Sequence, residues 1–403
     1  MVVFRPFKGY LPNLGEGESI CDRISPPYDV IDDNRKRQLQ SKPFNIARIT
    51  LAESADNYDV ARKELESWLR ANKLKPADRE SFYLYRQSFN FIGRKISRLG
   101  IVGLLKVEEY DQGNILPHEE TIAKVKDDRL NLLRATEFHL ESIFGVIDHL
   151  DNDIVEKMTS VSETLWECCD EDGIQHSFMR LSDQQTVQMI SESLKWKKIL
   201  IADGHHRYET ALRYSRERGD EKSQFVLATL ASSDDPGMIV LPTHRIIYGT
   251  GLNNFEIFEV FKENFDISRT RDFIELKKKV FTSNTSGIGI ITSDHECAII
   301  NPKMKRSDGG LWNIHAFVFQ ELGLNNILEK VRFKDKIRIE YEHDADEVFK
   351  KVMHNRCDFA VILKPPTIDQ IWKIAEQGLR MPKKTTYFWP KIWSGFVTYS
   401  MKD

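Results

Sequence analysis

Apolar positions recur at helical spacing over residues 55–71, where Tyr58, Ala61, Leu65, Trp68 and Leu69 share one face. Residues 81–92 (SFYLYRQSFNFI) and 98–108 (RLGIVGLLKVE) instead read as strands. The charged segment 119–136 predicts helix in two pieces, with Asp127 or Asp128 as N-cap ahead of Leu130 and Leu133. Helical spacing returns over 185–194 and runs into a short strand, Lys198-Ile199-Leu200-Ile201. There the pattern breaks. Ala202-Asp203-Gly204-His205-His206-Arg207 is followed by an amphipathic run through Tyr208, Ala211, Leu212 and Ser215, which Gly219 ends. The reading is strand, tight turn, helix. Two further strands follow at 224–231 and 238–248.

A domain boundary is expected near Gly249-Thr250-Gly251-Leu252-Asn253-Asn254. Beyond it helices are predicted over 254–264, 272–281, 311–322, 345–354 and 367–377, and strands over 287–292, 296–300, 336–341 and 358–363. Thr367 and Gln370 form a capping box for the last helix. This alternation predicts an α/β second domain. Residues 1–45 are rich in Pro and Gly, and Ser25-Pro26-Pro27-Tyr28-Asp29-Val30 is extended, because residues before proline avoid the helical region.

The chain has 403 residues, which makes two domains the natural expectation. With 41% hydrophobic and 30% charged residues it is an ordinary globular chain. A net charge of −3 argues against a general nucleic-acid binder. The five cysteines include no CxxC pair, so they read as free thiols of a reducing compartment. The N-terminal MVVFRPFKGY carries Arg5 and Lys8 and is no signal peptide. No stretch reaches the length of a membrane span. The expected location is the cytoplasm, with no membrane partner, and nothing in the pattern fixes an oligomeric state.

Absent motifs narrow the chemistry. There is no Walker A sequence and no GxSxG elbow. Gly287-Ile288-Gly289 lacks the third glycine of a dinucleotide fingerprint, and Ile122 stands where a zincin needs its second histidine after His118-Glu119. The chemical centre is therefore Asp203-Gly204-His205-His206-Arg207. Gly204 permits a sharp turn and close approach of a ligand. The N–H groups that open the following helix suit an anion. His205, His206 and Arg207 add donors, arginine as a fork matched to phosphate oxygens. Asp203 at the strand end is placed to ligate Mg²⁺ bridging those phosphates.

The string IADGHHRYETAL resembles the signature of the ParB-like and sulfiredoxin-like superfamily, in which a strand, a Gly-x-(His/Arg)-Arg turn and a helix hold nucleotide phosphates. His205 after the glycine matches the branch of free-serine kinases, which phosphorylate L-serine itself. Leu116-Pro117-His118-Glu119 is similar to those kinases' Pro-His-Glu segment, whose glutamate is the catalytic base. Cys357-Asp358-Phe359-Ala360-Val361-Ile362, Pro365-Pro366-Thr367 and Met381-Pro382-Lys383-Lys384-Thr385-Thr386 resemble their final strand, helix and Lys-Thr-Thr loop. A near full-length resemblance is to the domain of unknown function 1015 family. It shares the Ser-Pro-Pro-Tyr-Asp-Val start, the His-Glu segment, the Asp-Gly-His-His-Arg-Tyr box, Pro-Thr-His-Arg at 242–245 and a Lys-x-Thr-x-Phe-x-Pro-Lys ending.

The resemblance implies an α/β (α+β) protein. Residues 1–250 would form a ParB/sulfiredoxin-like nucleotide-binding catalytic domain with extra N-terminal segments, and 251–403 an α/β domain closing over the site. It implies transfer of a phosphoryl group from ATP or ADP, with Mg²⁺, to a small hydroxyl acceptor, by preference L-serine. Glu119, Asp203 and His206 would be catalytic, Asp203 the metal ligand, and Gly204, His205, His206 and Arg207 the phosphate cradle. Lys383, Thr385, Thr386, His244 and Arg245 would hold the acceptor, and the C-terminal loop would meet the cradle across the cleft. Tyr28, Asp29, Arg129 and Arg134 are further pocket candidates. The rival from another class is a non-catalytic CTP- or ATP-sensing regulatory protein of the ParB-like type. It would need a helix-turn-helix and a basic surface, and the sequence shows neither.

Overall fold

In the computed structural model the described residues are 1–52, 58–121, 123–282, 287–304, 310–354 and 357–402. They form a mixed α/β protein divided into two compact units. The first holds Met1–Pro117, Thr121–Ile239 and Pro390–Asp403; the second holds His118–Glu120 and Val240–Trp389. The division thus runs differently from a single cut at residue 250. Two chain segments are exchanged: a tripeptide joins the second unit, and the C-terminal tail returns to the first, where Tyr10 bridges Thr398 and Ser25 bridges Ser394.

The first unit is built on a nine-stranded mixed sheet. Its order is Ile115–Leu116, Ile199–Asp203, Ile143–Ile147, Phe225–Ser232, Arg94–Lys106, Phe82–Phe91, Gln175–Leu181 and Glu163–Cys169, with Phe4–Arg5 added along Arg94–Lys106. The strand Ile199–Asp203 reads ILIAD with no polar alternation because it is interior, parallel to Ile115–Leu116 and antiparallel to Ile143–Ile147. The helix His205–Arg218 returns over the sheet, burying Tyr208 and Ala211 in the same core as Ile199, Ile201, Leu84 and Ile143.

Several expectations shift by identifiable causes. The helix of 55–71 is Tyr58–Arg70, residues 55–57 lying outside the described ones. The two-piece helix of 119–136 is one helix, Ala123–Thr136, Ile122 lying outside the described residues and Glu119 standing before the helix in an isolated bridge to Met381. The strand of 238–248 is interrupted at Pro242, which has no N–H for a ladder, giving Ile239–Leu241 and His244–Tyr248. The cysteine reading is corrected. Cys21 and Cys168 are joined in a disulfide across 147 residues of sequence, a pairing that no local spacing announces. Cys169, Cys297 and Cys357 are free.

The second unit carries a six-stranded sheet in the order Phe265–Arg269, Cys297–Pro302, Ile288–Thr292, Phe359–Ile362, His244–Tyr248, Arg338–Glu342. Every pairing in it is antiparallel, although helices and strands alternate along the chain. Ile246, Leu276, Val280, Val348, Ala360 and Ile362 form its core against helices Phe273–Thr282 and Ala345–His354. Helix Ile368–Glu376 has the capping box of Thr367 and Gln370. The expected helix of 311–322 is fragmented into a 3₁₀ turn at Gly310–Asn313, a helical turn at His315–Val318, a π turn at Phe319–Leu324 and the helix Asn325–Lys330. The π turn sets Gly323 against Phe319, where a Cβ would lie 2.9 Å from the ring.

Candidate functional site

The turn at the end of Ile199–Asp203 is as the residue types require. Gly204 has φ +88°, a left-handed conformation that a side chain would strain. A Cβ at this position would also meet the Arg207 guanidinium at 3.1 Å. Glycine therefore does two things: it turns the chain, and it lets Arg207 fold back over the turn. No side chain caps the helix that starts at His205. Its N-terminal partial positive charge is left for an anion.

Around this turn the charges are dense and buried. Asp203 Oδ1 accepts from the Gly204 N–H at 2.7 Å, and Oδ2 accepts from Lys391 Nζ at 2.9 Å. Burial alone would raise the Asp203 pKa, but the charges of Lys391 and Arg207 outweigh it and hold the carboxyl well below the usual range. Arg207 donates to the Ser142 carbonyl, and its Nε is buried without a hydrogen-bond partner. Burial opposes its charge, while Glu141, Asp203, Tyr28 and Asp29 favour it, so the guanidinium stays charged.

Glu141 is the carboxylate that the sequence reading missed. It is buried at 7% exposure and accepts from the Tyr28 N–H at 3.3 Å; Arg129 stands 4.0 Å from its other oxygen. Burial raises its pKa against the pull of Arg207 and Arg129. Arg129 also lies over the Tyr28 ring at 4.3 Å. Tyr28, Asp29 and Arg129 are thus brought to Arg207, while Arg134 is not: it pairs on the surface with Glu217. A cavity of about 40 Å³ lies among Arg129, Glu141, Arg207 and Thr210, floored by Leu132, Leu133, Phe138 and Leu140. The only sequence signal for Glu141 was its place just before the apolar run Ile143–Ile147.

In the second unit, His118-Glu119 and the loop 381–386 form one structure. The Met381 N–H donates to the His118 carbonyl at 2.8 Å, and the Lys384 N–H donates to Glu119 Oε1 at 2.7 Å. His118, fully buried, shares a 2.9 Å hydrogen bond between Nε2 and Thr386 Oγ1. Lys384 has φ +57°, an unfavourable conformation for a lysine, and it is this conformation that aims its N–H at Glu119. The arrangement orients one carboxylate from the backbone of a strained loop.

The structure places the other expected acceptor residues as follows. Thr385 is buried at 2% exposure and donates to the Pro382 carbonyl at 2.6 Å, so its hydroxyl shapes the loop. Lys383 is exposed. His244 and Arg245 are interior to the second unit. His244 Nδ1 accepts from the Leu363 N–H at 3.1 Å, and burial pushes its pKa down to about 3, so it is neutral. Arg245 reaches the Ala316 carbonyl at 3.3 Å within the core. His244 Nε2 and Arg245 Nε are buried without a hydrogen-bond partner.

For a metal, Asp203 is a single carboxylate, and the described residues hold no cluster of three or more His, Cys, Asp or Glu that could bind an ion. A Mg²⁺ that arrives on nucleotide phosphates needs only one or two protein carboxylates, and Asp203 offers one beside the turn, its two oxygens bonded to the Gly204 N–H and to Lys391. Among the described residues, no helix is long and apolar enough to cross a membrane.

Comparison with known proteins places the chain among relatives. The model of a family described as protein of unknown function (DUF1015) matches residues 4–320. The ATP-dependent L-serine kinase of Staphylothermus marinus is 22% identical over 196 residues, covering 48% of this chain and 68% of that protein. Among solved structures, a free serine kinase in complex with AMP overlays with a TM-score of 0.40 at 14% identity, covering 68% of this chain and 83% of the other. SbnI from Staphylococcus aureus, truncated at its C-terminus, gives 0.39 at 10% identity, covering 73% and 86%.

Proposed function

The chain belongs to the DUF1015 family, and from that premise we propose that it is a small-molecule kinase. It would move the terminal phosphoryl of ATP or ADP to a hydroxyl acceptor, by preference free L-serine, giving O-phosphoserine. The observation that carries this reading is the Asp203–Gly204 turn: an uncapped helix start, a guanidinium folded onto the glycine, and a partner-less buried Nε beside it. A ParB/sulfiredoxin-like core would account for that turn. The similarity to a serine kinase supports the choice of acceptor.

Phosphoryl transfer asks for positioning and charge neutralisation. In this reading the helix start and Arg207 hold the phosphates, with His205 and His206 beside them. The acceptor oxygen forms its bond to the terminal phosphorus as the bond to the bridging oxygen breaks, and the hydroxyl proton passes to Glu119. The Lys384 N–H on Oε1 fixes that carboxylate's orientation, and the His118–Thr386 bond fixes the segment that bears it. Mg²⁺ carried in on the nucleotide would neutralise phosphate charge, with Asp203 as its protein ligand. The exposed Lys383 is the residue left to attract an anionic acceptor. Serine metabolism is the setting this activity implies.

The test is direct. Purified protein is incubated with Mg²⁺, ATP or ADP, and L-serine alone or pooled hydroxylated metabolites. O-phosphoserine is the expected product. A different phosphorylated acceptor would keep the kinase and change its substrate, and absence of any phosphorylated product, with nucleotide bound, would favour the nucleotide-sensing alternative.

A further inference from the structure

Lys391 closes the Lys-x-Thr-x-Phe-x-Pro-Lys ending and has no role in the account so far. Its backbone is seated from the middle of the first unit's sheet. Gln87 and Arg98 oppose each other on neighbouring strands and are bonded to one another at 2.5 Å. Gln87 donates to the Lys391 carbonyl at 2.8 Å, and Arg98 donates to the Pro390 carbonyl. Arg98 is 1% exposed and lies over the Phe144 ring. Burying a guanidinium is expensive unless its donors are used. Here they serve to hold two residues of a C-terminal tail beside the strand end that carries Asp203.

The side chain so held is itself largely buried, at 10% exposure against 17% for Asp203. Stability is a weak reason for such a pair, since well-packed apolar residues of similar volume often do as well. Its position gives a better one. Asp203 is bonded to the Gly204 N–H, so the Lys391 ammonium stands next to the turn. An ammonium is a compact point charge with three donors, able to hold Asp203 and a phosphate oxygen together.

We infer that Lys391 is a phosphate ligand of the nucleotide, binding an oxygen beyond the α-phosphate while Asp203 keeps it in place. This rests on the nucleotide-binding reading above. It adds a cation to the cradle and makes the C-terminal tail part of the site. It also means that Lys391 and any Mg²⁺ share the Asp203 carboxylate.

Calorimetry with AMP, ADP and ATP on wild type, Lys391→Met and Lys391→Arg tests it. In Lys391→Met, affinity for ADP and ATP should fall at least about tenfold, with AMP affinity unchanged. Lys391→Arg keeps the charge and the ion pair, so it serves if the Met variant does not fold. Its ATP-to-AMP affinity ratio should shift by at least about threefold, because a guanidinium cannot occupy an ammonium's place. Equal losses for all three nucleotides, or an unchanged ratio in a folded variant, would overturn the assignment and leave the nucleotide reading standing. A wild type that binds no nucleotide would overturn both.

Discussion

Gly204, Arg207 and Glu119 carry separable parts of the account. Gly204→Ala places a Cβ at positive φ and 3.1 Å from the Arg207 guanidinium, so it should cost about 1–3 kcal/mol of stability and weaken nucleotide binding. Arg207→Ala should lower nucleotide affinity at least about tenfold. It should also lower the melting temperature, because Glu141 then loses a buried counter-charge. Unchanged affinity would remove Arg207 from the cradle. Glu119→Gln keeps shape and loses the base, so turnover should drop by on the order of 10²–10⁴ with nucleotide affinity nearly constant. An equal loss of affinity would instead point to a metal or structural role. The turn was legible in sequence because Asp-Gly-His-His-Arg is a local pattern. Burial was not. Thr385, His244 and Arg245 look like ligand residues by type, and only packing shows that each is buried and bonded to a neighbouring backbone group.

The loop 381–386 shows what an element adds to its residues. Gly378 at φ +69° follows helix Ile368–Glu376, and Lys384 at φ +57° turns its N–H to Glu119. Lys384→Gly should keep activity and leave stability unchanged or slightly higher, since glycine accepts this backbone without strain. Lys384→Pro removes the N–H and forbids the conformation, so transfer should be lost while nucleotide affinity holds. If the glycine variant were as impaired as the proline variant, the lysine side chain, rather than its backbone, would be the active part. Helices with strong periodicity and caps, such as Asn254–Asn264 and Ile368–Glu376, were readable in advance. The segment 311–322 was not, because its apolar spacing does not reveal the π turn at Phe319–Leu324. Nor was the Cys21–Cys168 link, whose partners lie 147 residues apart, one in the turn Ile20–Asp22 and the other on the strand Glu163–Cys169.

At the scale of the molecule, buried histidines set the acid limit. Burial pushes His139 and His315 down to about 4 and His244 to about 3, against 6.5 for a free histidine. The unfolded chain gains protons below 6.5 that the folded chain refuses, so stability is complete above that pH and declines as pH falls towards 4. Each histidine contributes up to about 1.4 kcal/mol per pH unit in that window. Thermal melts from pH 7 to 4 should show the decline, and His244→Asn should make it shallower; a flat profile would contradict the burial of these rings. The α/β class follows from patterns spread over many residues, which is why the sequence conveys it. The return of Pro390–Asp403 to the first unit depends on contacts such as Tyr10 with Thr398, which no periodicity encodes. The central claim is phosphoryl transfer, and one measurement addresses it most directly. Product analysis follows wild type and Glu119→Gln given ATP, Mg²⁺ and L-serine, with nucleotide affinity measured on the same samples. The account predicts O-phosphoserine and ADP in equal amounts from wild type, and bound nucleotide without product from Glu119→Gln. Nucleotide binding by both proteins with no phosphorylated product from either, for serine or any other hydroxyl acceptor, would contradict it.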